Sequence, residues 1–287
     1  MQTLTEIKQL LESHGLAPDK SFGQNFLCDH NLIRRLVDES GVRAGDLVLE
    51  IGPGTGALTD ELVERGCEVI ACEIDRGLAA LLRDRFAEKI TLVEGDALHG
   101  KHELNPEVVA AIGGRSFRLV ANLPYGVASP LMVMLATRCA PGASPACLGQ
   151  FVTIQKEVGE RLRAKPGTED YSELSVLVQA MGVVRRVAVL PPECFWPRPK
   201  VTSEMVSIVP RSLAGEKAVT SDPARLAAAC RLLFGQRRKQ IGSILGRETI
   251  ERLAPLPAGV EPNSRAETLS IEQLEALAVR LGEIKAF

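Results

Sequence analysis

The chain has 287 residues, of which 45% are hydrophobic and 24% charged, and its formal net charge is −2. This composition is typical of a globular protein, and no apolar run approaches the ~18 residues of a membrane span, so we expect a cytoplasmic protein without a membrane segment. The seven cysteines and four histidines show no metal-ligand spacing, so we predict no metal site.

The N-terminal region predicts two helices separated by a loop. Residues 3–14 have the spacing of a charged amphipathic helix rather than of a signal peptide. A loop is expected at 19–27. Asp29 and Gly41 are the expected N-cap and C-terminal stop of a second helix that ends at Ser40.

From residue 47 onward, short apolar runs alternate with amphipathic stretches. We predict strands at 47–51, 68–72, 90–93, 118–121 and 148–154, and helices near 57–65, 76–87 and 129–138. Such alternation, with nearly continuous apolar strands, predicts an α/β fold in which helices cover both faces of a parallel, Rossmann-like sheet.

The last third of the sequence changes character. Helices are expected at 156–164 and 171–181, followed by two strands, at 183–190 and 201–209, that flank a proline-rich loop and close the sheet as an antiparallel pair. From residue 211 the pattern is purely helical. We therefore predict two domains, an α/β domain at 1–210 and a small all-α domain at 211–287.

A glycine-rich turn, Glu50-Ile-Gly-Pro-Gly-Thr-Gly56, directly follows the first strand of this alternation and opens a helix. Glycines such as Gly52 and Gly54 let the backbone approach a ligand closely. The preceding Glu50 would repel a dinucleotide pyrophosphate but suits a cationic cofactor. An ordinary strand-to-helix turn remains the alternative.

Two further acids end the next two strands. Glu73 lies about twenty residues after the turn, where a carboxylate can accept bonds from both ribose hydroxyls of an adenosine. Asp96 follows the third strand and can accept a bond from an adenine amino group. Together with the glycine turn, they predict an adenosyl pocket at the carboxyl ends of the strands.

The segment Asn122-Leu123-Pro124-Tyr125 ends the fourth strand, beside the same expected pocket. An aromatic amine is a poor nucleophile because its lone pair is delocalised into the ring. The side-chain oxygen of Asn122 and the backbone carbonyl of Leu123 can hold both N–H bonds and turn the lone pair toward a methyl donor. Pro124 makes the chain rigid there, and Tyr125 offers a face for an extruded base. The alternative interpretation is a strand followed by a proline turn without a catalytic role.

With these residues in place, the sequence resembles the KsgA/RsmA family of ribosomal RNA adenine dimethyltransferases over nearly its whole length. Four further segments carry the resemblance: Phe22-Gly-Gln-Asn-Phe-Leu27, Gln155-Lys-Glu-Val158 with Tyr171-Ser-Glu-Leu174, Phe195-Trp-Pro-Arg-Pro-Lys-Val201, and Phe234-Gly-Gln-Arg-Arg-Lys239. The last of these is similar to a basic C-terminal helix of the family.

The resemblance implies a class I methyltransferase that binds S-adenosylmethionine. The cofactor residues that we assign are Gln24, Asn25, Leu27, Gly52, Gly54, Glu73, Ile74, Asp96, Ala97 and Asn122. It places Asn122–Tyr125 at the target amine and Phe195 across the base from Tyr125.

The implied substrate is a pair of adjacent adenines near the 3′ end of small-subunit (16S) ribosomal RNA, within a pre-ribosomal 30S-type particle. Each adenine would receive two methyl groups, and we expect a monomeric enzyme. Arg237, Arg238 and Lys239, in a run from Arg225 to Arg247 that has six basic residues and no acid, are the expected phosphate contacts. A solvated helix face is the alternative reading of this run.

The sequence departs from the family pattern at one position, and three alternative functions remain. Gly126 stands where the family usually has asparagine, which removes a side chain near the target. The alternatives are a large-subunit ribosomal RNA methyltransferase of the antibiotic-resistance type, a methyltransferase acting on DNA adenine, and a subunit-assembly factor for which methylation is secondary.

Overall fold

The computed structural model describes residues 2–100, 103–139 and 142–284, apart from the Lys20 side chain. At the N-terminus, helix α1 (Leu4–Ser13) leads through the loop to a two-residue strand β1 (Phe26–Leu27) and helix α2 (His30–Ser40). The predicted ends of α2 are confirmed: the Asp29 side chain accepts bonds from two backbone N–H groups, and Gly41 adopts a left-handed φ of 63°.

The core of the molecule is a sheet of seven strands: β2 (Leu47–Ile51), β3 (Glu68–Glu73), β4 (Ile90–Glu94), β7 (Phe117–Asn122), β8 (Cys147–Gln155), β9 (Gly182–Leu190) and β11 (Ser203–Pro210). Their order across the sheet is β4-β3-β2-β7-β8-β11-β9. Strands β2, β3, β4, β7 and β8 are parallel, and β11 pairs antiparallel with both β8 and β9. The predicted α/β sheet and its antiparallel closure are therefore confirmed.

Helices cover both faces of the sheet, as the alternation predicts. They are α3 (Ala57–Glu64), α4 (Arg76–Phe86), α5 (Pro106–Ile112), α6 (Tyr125–Thr137), α7 (Lys156–Leu162) and α8 (Glu173–Met181). Helices α2, α3 and α4 pack their apolar sides on one face, and α5, α6, α7 and α8 on the other. Each face buries a continuous hydrophobic core, which provides most of the driving force for folding.

This domain differs from the prediction in the start of one helix and in several short elements, among them β1, which lies in the expected loop 19–27. Helix α6 begins at Tyr125, one turn before the expected start at residue 129. The pair Ser129-Pro130 looks like a helix start, but Pro130 lies inside the helix, where it cannot donate a bond to the Gly126 carbonyl. Other short elements are α5, which Asn105 caps, and the two-residue strands β5 (Leu98–His99) and β6 (Glu103–Leu104).

The C-terminal part is helical, with α9 (Pro223–Phe234), α10 (Ile241–Leu245), α11 (Arg247–Leu253) and α12 (Ile271–Glu283). Their shared core also takes in the buried Tyr171 and the side of α8 that faces away from the sheet. The domain boundary at residue 210 therefore stays a prediction, because the two parts meet through a common apolar cluster. Nowhere in the described ranges is a helix long and apolar enough to cross a membrane.

Candidate active site

A cavity of about 470 Å³ opens at the carboxyl ends of β2, β3, β4 and β7. Every residue that we predict for the cofactor and for the target amine lines it: Gln24, Asn25, Leu27, Gly52, Gly54, Glu73, Ile74, Asp96, Ala97, Asn122, Leu123, Pro124, Tyr125 and Phe195. Parallel strands end at one edge of a sheet, so Gly52, Glu73, Asp96 and Asn122 meet there although they are far apart in sequence. The size is that of a pocket for a small-molecule cofactor.

The glycine turn is shaped by packing as well as by ligand access. Gly52, Gly54 and Gly56 all have left-handed φ angles, of 68°, 62° and 82°. A Cβ at Gly52 would lie 2.9 Å from Pro124 Cγ, and one at Gly54 would lie 2.9 Å from the Phe26 ring. Glycine is therefore required at both positions, because any side chain would push away a neighbour that itself shapes the cavity.

Glu73 connects the glycine turn to the next helix from the end of β3. Its carboxylate is 4% exposed and accepts hydrogen bonds from the backbone N–H of Gly54 (3.1 Å) and of Asp75 (3.0 Å). Burial raises the pKa of Glu73 to about 7 despite these bonds. Because Glu73 lines the cavity, ligand hydroxyl groups that donate to it would stabilise its ionised form.

Glu50 lies deeper, at 1% exposure, and accepts a bond from the Thr59 hydroxyl at 2.7 Å. Burial raises the pKa of Glu50 to about 8, the Thr59 bond lowers it, and the nearby carboxylates of Glu73 and Asp60 raise it further. In the cofactor-free protein this carboxyl group is therefore mostly neutral at pH 7. The Glu50 carboxyl group would be ionised beside a cationic cofactor only if the charge of the cofactor offsets the free-energy cost of burying the carboxylate.

Replacing Glu50 with glutamine should make the protein less sensitive to alkaline pH. The folded-state pKa of Glu50 is raised above the unfolded value, so its contribution to stability is complete below about pH 4.5 and is lost as pH rises through 8. The free energy of unfolding of Glu50→Gln, relative to the wild type, should rise by roughly 2 kcal/mol or more between pH 5 and pH 8. Urea unfolding at both pH values measures this. The exposed Glu64→Gln is the control, and parallel pH profiles for Glu50→Gln and the wild type would contradict the burial.

The target-amine segment presents two free acceptors to the cavity. The Asn122 side chain donates from Nδ2 to the backbone carbonyl of Asn25 at 2.9 Å, which leaves its Oδ1 without a partner among the described residues. The backbone N–H of Leu123 bonds to the Thr153 carbonyl at 3.1 Å, while no described group donates to the Leu123 carbonyl. Asn122 Oδ1 and the Leu123 carbonyl therefore remain available for the two N–H bonds of an amine.

Two aromatic side chains line the same cavity. The Tyr125 hydroxyl is 3.1 Å from Oγ of Ser203, a fully buried residue at the start of β11 that the sequence did not single out. Phe195 is 5% exposed and lies in the short strand β10 (Phe195–Trp196), which pairs with β1 so that Phe195 is opposite Leu27. Both rings are thus held by contacts with distant segments, as a stacking site requires.

Two further aromatic residues, Phe22 and Trp196, differ in their relation to the cavity. Phe22 lines the cavity with 39% of its surface exposed. It is the first residue of the segment Phe22–Leu27 that carries the family resemblance, although we did not assign it to the site. Trp196, which we leave outside the site, stacks on Phe26 with 6.3 Å between ring centroids and is absent from the cavity lining. A Cβ at Gly126 would meet no atom within 4 Å, so the place of the usual asparagine is open space.

The basic C-terminal segment differs from the prediction. Helix α9 ends at Phe234, and Arg237, Arg238 and Lys239 lie on the turn after it rather than on a helix. The Arg237 guanidinium is 2.6 Å from Glu267, so it braces the turn. Arg238 and Lys239 are exposed and have no ion-pair partner in the described ranges. The chain turns here because Gly235 and the following polar residues cannot continue the apolar side of α9.

Two other arginines of the basic run also pair with acids. Arg225 bonds to Glu275 at 2.8 Å, and Arg247 pairs with Glu251 at 2.7 Å. These acids lie outside the run 225–247, so the ion pairs could not be predicted from the sequence of the run alone. Of the three predicted phosphate contacts, the structure leaves Arg238 and Lys239 fully available.

Comparison with known proteins agrees with this geometry. Residues 17–282 match the family model described as ribosomal RNA adenine dimethylase. A relative from Aromatoleum aromaticum, named ribosomal RNA small subunit methyltransferase A, is 42% identical over 90% of this chain and 92% of its own length.

Two solved structures have the same fold. A dimethyladenosine transferase from Plasmodium falciparum superposes with a TM-score of 0.68 at 22% identity, covering 90% of this chain and 98% of that one. The 23S rRNA methyltransferase ErmE superposes with a TM-score of 0.60 at 27% identity, covering 90% of this chain and all of that one. The cavity, the free acceptors and these similarities agree, and the chain belongs to the ribosomal RNA adenine dimethylase family of S-adenosylmethionine-dependent methyltransferases.

Proposed function

We propose that this protein transfers methyl groups from S-adenosylmethionine to N6 of two adjacent adenines near the 3′ end of small-subunit ribosomal RNA. Each adenine becomes N6,N6-dimethyladenine. The observation that carries the proposal is the pair of free acceptors, Asn122 Oδ1 and the Leu123 carbonyl, on the wall of a cavity that also holds Glu73 and Asp96. We propose further that the protein acts as a monomer in the cytoplasm on a maturing small subunit.

The residues of the cavity fit the cofactor. Glu73 offers a buried carboxylate for the ribose hydroxyls, and Asp96 offers Oδ2, since its Oδ1 accepts from the Leu98 N–H at 2.9 Å. Gly52 and Gly54 keep the floor of the cavity free of side chains. When bound, S-adenosylmethionine supplies an electrophilic methyl group.

Asn122 and Leu123 prepare the adenine for this transfer. Their two oxygens accept the N–H bonds of the exocyclic amine, and this rotates its lone pair out of conjugation and toward the methyl donor. As the new N–C bond forms, the methyl–sulfur bond of the cofactor would break and leave S-adenosylhomocysteine, and the amine gains a positive charge that the acceptors of its remaining N–H bonds stabilise. A proton then leaves to solvent, so no titrating general base is needed.

Tyr125 and Phe195 hold the extruded base by stacking. Removing a base from its helix costs a few kcal/mol, and stacking on an aromatic ring returns about 1–3 kcal/mol for each contact. The bond between the Tyr125 and Ser203 hydroxyls fixes the first ring, and the pairing of β10 with β1 fixes the second.

The relatives favour the small subunit over the alternatives. The relative named for the small subunit is 42% identical to this chain, whereas the structure named for 23S rRNA is 27% identical. An assembly factor without catalysis would have no need of the free acceptors at Asn122 and Leu123. The small-subunit reaction is therefore the function that the site supports best.

One experiment tests substrate and product together. The protein is incubated with labelled S-adenosylmethionine and small subunits that lack the modification, and the labelled nucleotides are mapped and analysed for one or two methyl groups. We expect label in two adjacent adenines near the 3′ end, mostly as dimethyladenine. Label in large-subunit RNA only, or none in either subunit, would refute the proposal.

The exposed pair Arg238 and Lys239 should contribute to RNA binding more than Arg237 does. Replacing both with alanine should weaken binding to small subunits about tenfold at low salt. It should also make the slope of log K against log[salt] less negative by about 2, because each phosphate contact releases counterions. Arg237→Ala should change the slope little, since its guanidinium is paired with Glu267. Filter binding at several salt concentrations measures both, and an unchanged slope in Arg238→Ala/Lys239→Ala would contradict the assignment.

A further inference from the structure

Gln24 lines the cavity, but its side chain is already bonded within the protein. Its Nε2 donates to Asp75 Oδ2 at 2.8 Å, and its Oε1 accepts from the backbone N–H of Asp19 at 2.8 Å. One amide group therefore closes the loop 19–24 on itself and ties it to the segment after β3. This points to a role in holding the loop, in addition to the contact with the cofactor that its place in the cavity lining allows.

The residue that Gln24 binds is itself held in place. Asp75 Oδ1 caps helix α4 by accepting from the N–H groups of Gly77 (2.8 Å) and Leu78 (3.2 Å). The backbone N–H of Asp75 donates to the Glu73 carboxylate at 3.0 Å. Gln24 is thus anchored to a point whose position is set by a helix end and by the proposed ribose acceptor.

The residue after Gln24 reaches the other half of the site. The Asn25 carbonyl accepts the 2.9 Å bond from Asn122 Nδ2 and is the only partner of that amide in the described ranges. An amide side chain can turn its oxygen or its nitrogen toward the cavity, and this bond decides between the two. Adjacent Cα atoms are only about 3.8 Å apart, so a shift of Gln24 carries the Asn25 carbonyl with it.

We infer that Gln24 is a positioning residue for methyl transfer, and that its bond to Asp75 holds the Asn25 carbonyl where it turns Asn122 Oδ1 toward the target amine. The inference rests on the proposed function, because it concerns the same amine. It assigns Gln24 to the catalytic step in addition to cofactor binding. Loss of the bond lets the loop shift and the Asn122 amide rotate, which lowers kcat even when the cofactor is saturating.

Exchanging the donor and the acceptor tests this role. Gln24→Glu has the same shape but places a carboxylate against Asp75. Gln24→Met removes both the donor to Asp75 and the acceptor for the Asp19 N–H without adding charge. The double variant Gln24→Glu/Asp75→Asn restores the bond in reverse, with the new amide at 75 donating, while an amide oxygen can still cap α4. Gln9→Glu, on the exposed side of α1, is the matched control.

The measurements are kcat on unmodified small subunits at saturating S-adenosylmethionine, cofactor Kd by calorimetry, and thermal unfolding. Both single Gln24 variants should lose about tenfold or more in kcat, because a misplacement of about 1 Å at a catalytic group costs up to about 100-fold. The double variant should recover most of this loss, and Gln9→Glu should match the wild type.

The outcomes separate this inference from the function itself. If Gln24→Met and Gln24→Glu keep the wild-type kcat and change only cofactor Kd or thermal stability, Gln24 merely supports the loop and the inference is wrong. It is also wrong if kcat falls but the double variant recovers nothing. If the wild type modifies no adenine in small subunits, the proposed function fails, and the inference falls with it.

Discussion

Asn122→Ala is expected to lower kcat for methyl transfer by about 100-fold or more, the scale of one preorganised polar group at an active site. The variant removes the oxygen that accepts an N–H bond of the target amine, so the lone pair stays delocalised in the adenine ring. It also removes the bond to the Asn25 carbonyl, which is 2.9 Å long in the wild type. The measurement is single-turnover methylation of small subunits with saturating S-adenosylmethionine.

Cofactor binding should be affected much less than kcat in Asn122→Ala. The ribose and adenine contacts that we propose for Glu73 and Asp96 are unaffected by this substitution, so the Kd of S-adenosylmethionine should change little. Asn31→Ala makes the same substitution at an exposed position of α2 and should behave as the wild type does. Wild-type kcat in Asn122→Ala would remove the proposed mechanism, whereas a loss of cofactor affinity alone would make Asn122 a cofactor residue only.

Glu73→Ala is expected to weaken S-adenosylmethionine binding by about 100-fold, because hydrogen bonds to a charged group contribute about 1.5–3 kcal/mol each. The carboxylate also holds Gly54 and Asp75 through their N–H groups, so the variant loosens the glycine turn. Calorimetry measures the affinity. Glu94→Ala is the matched control, because Glu94 is the neighbour of Glu73 in the β3–β4 register and is exposed and outside the cavity lining.

The pH dependence of binding tests the ionisation of Glu73. Burial raises its pKa to about 7 in the free protein, and ribose hydroxyls that donate to it favour the anion. Cofactor affinity should therefore increase from pH 6 to pH 8, with a proton released on binding at the lower pH. Glu73→Gln should bind weakly with a flat profile over this range. A wild-type profile that is equally flat would show that the carboxylate does not accept from the ligand.

The position of the site could be predicted because its residues stand at the ends of strands. Glu73, Asp96 and Asn122 each follow a short apolar run, and a parallel sheet brings such positions to one edge. Short-range rules of this kind also located the α2 caps and the strands of the main sheet. They failed where elements are two residues long, as in β5 and β6, since periodicity needs a longer run to be visible.

Side-chain partners from distant parts of the chain could not be predicted. The Arg237 bond to Glu267, the Tyr125 bond to Ser203 and the pairing of Phe195 with Leu27 all join segments that no local pattern relates. The protonation of Glu50 was equally hidden, because its pKa depends on how completely the folded chain excludes water around it.

The α/β fold, the glycine turn and the chemical groups that meet at the cavity could be predicted from short segments, because periodicity, capping and backbone freedom are local properties. The orientation of those groups depends on contacts between distant parts of the chain. Asn122 exposes its oxygen because the Asn25 carbonyl, 97 residues away, takes its N–H, and Gln24 holds that carbonyl through Asp75. Orientation depends on the packing of whole elements against each other, and no local segment encodes it.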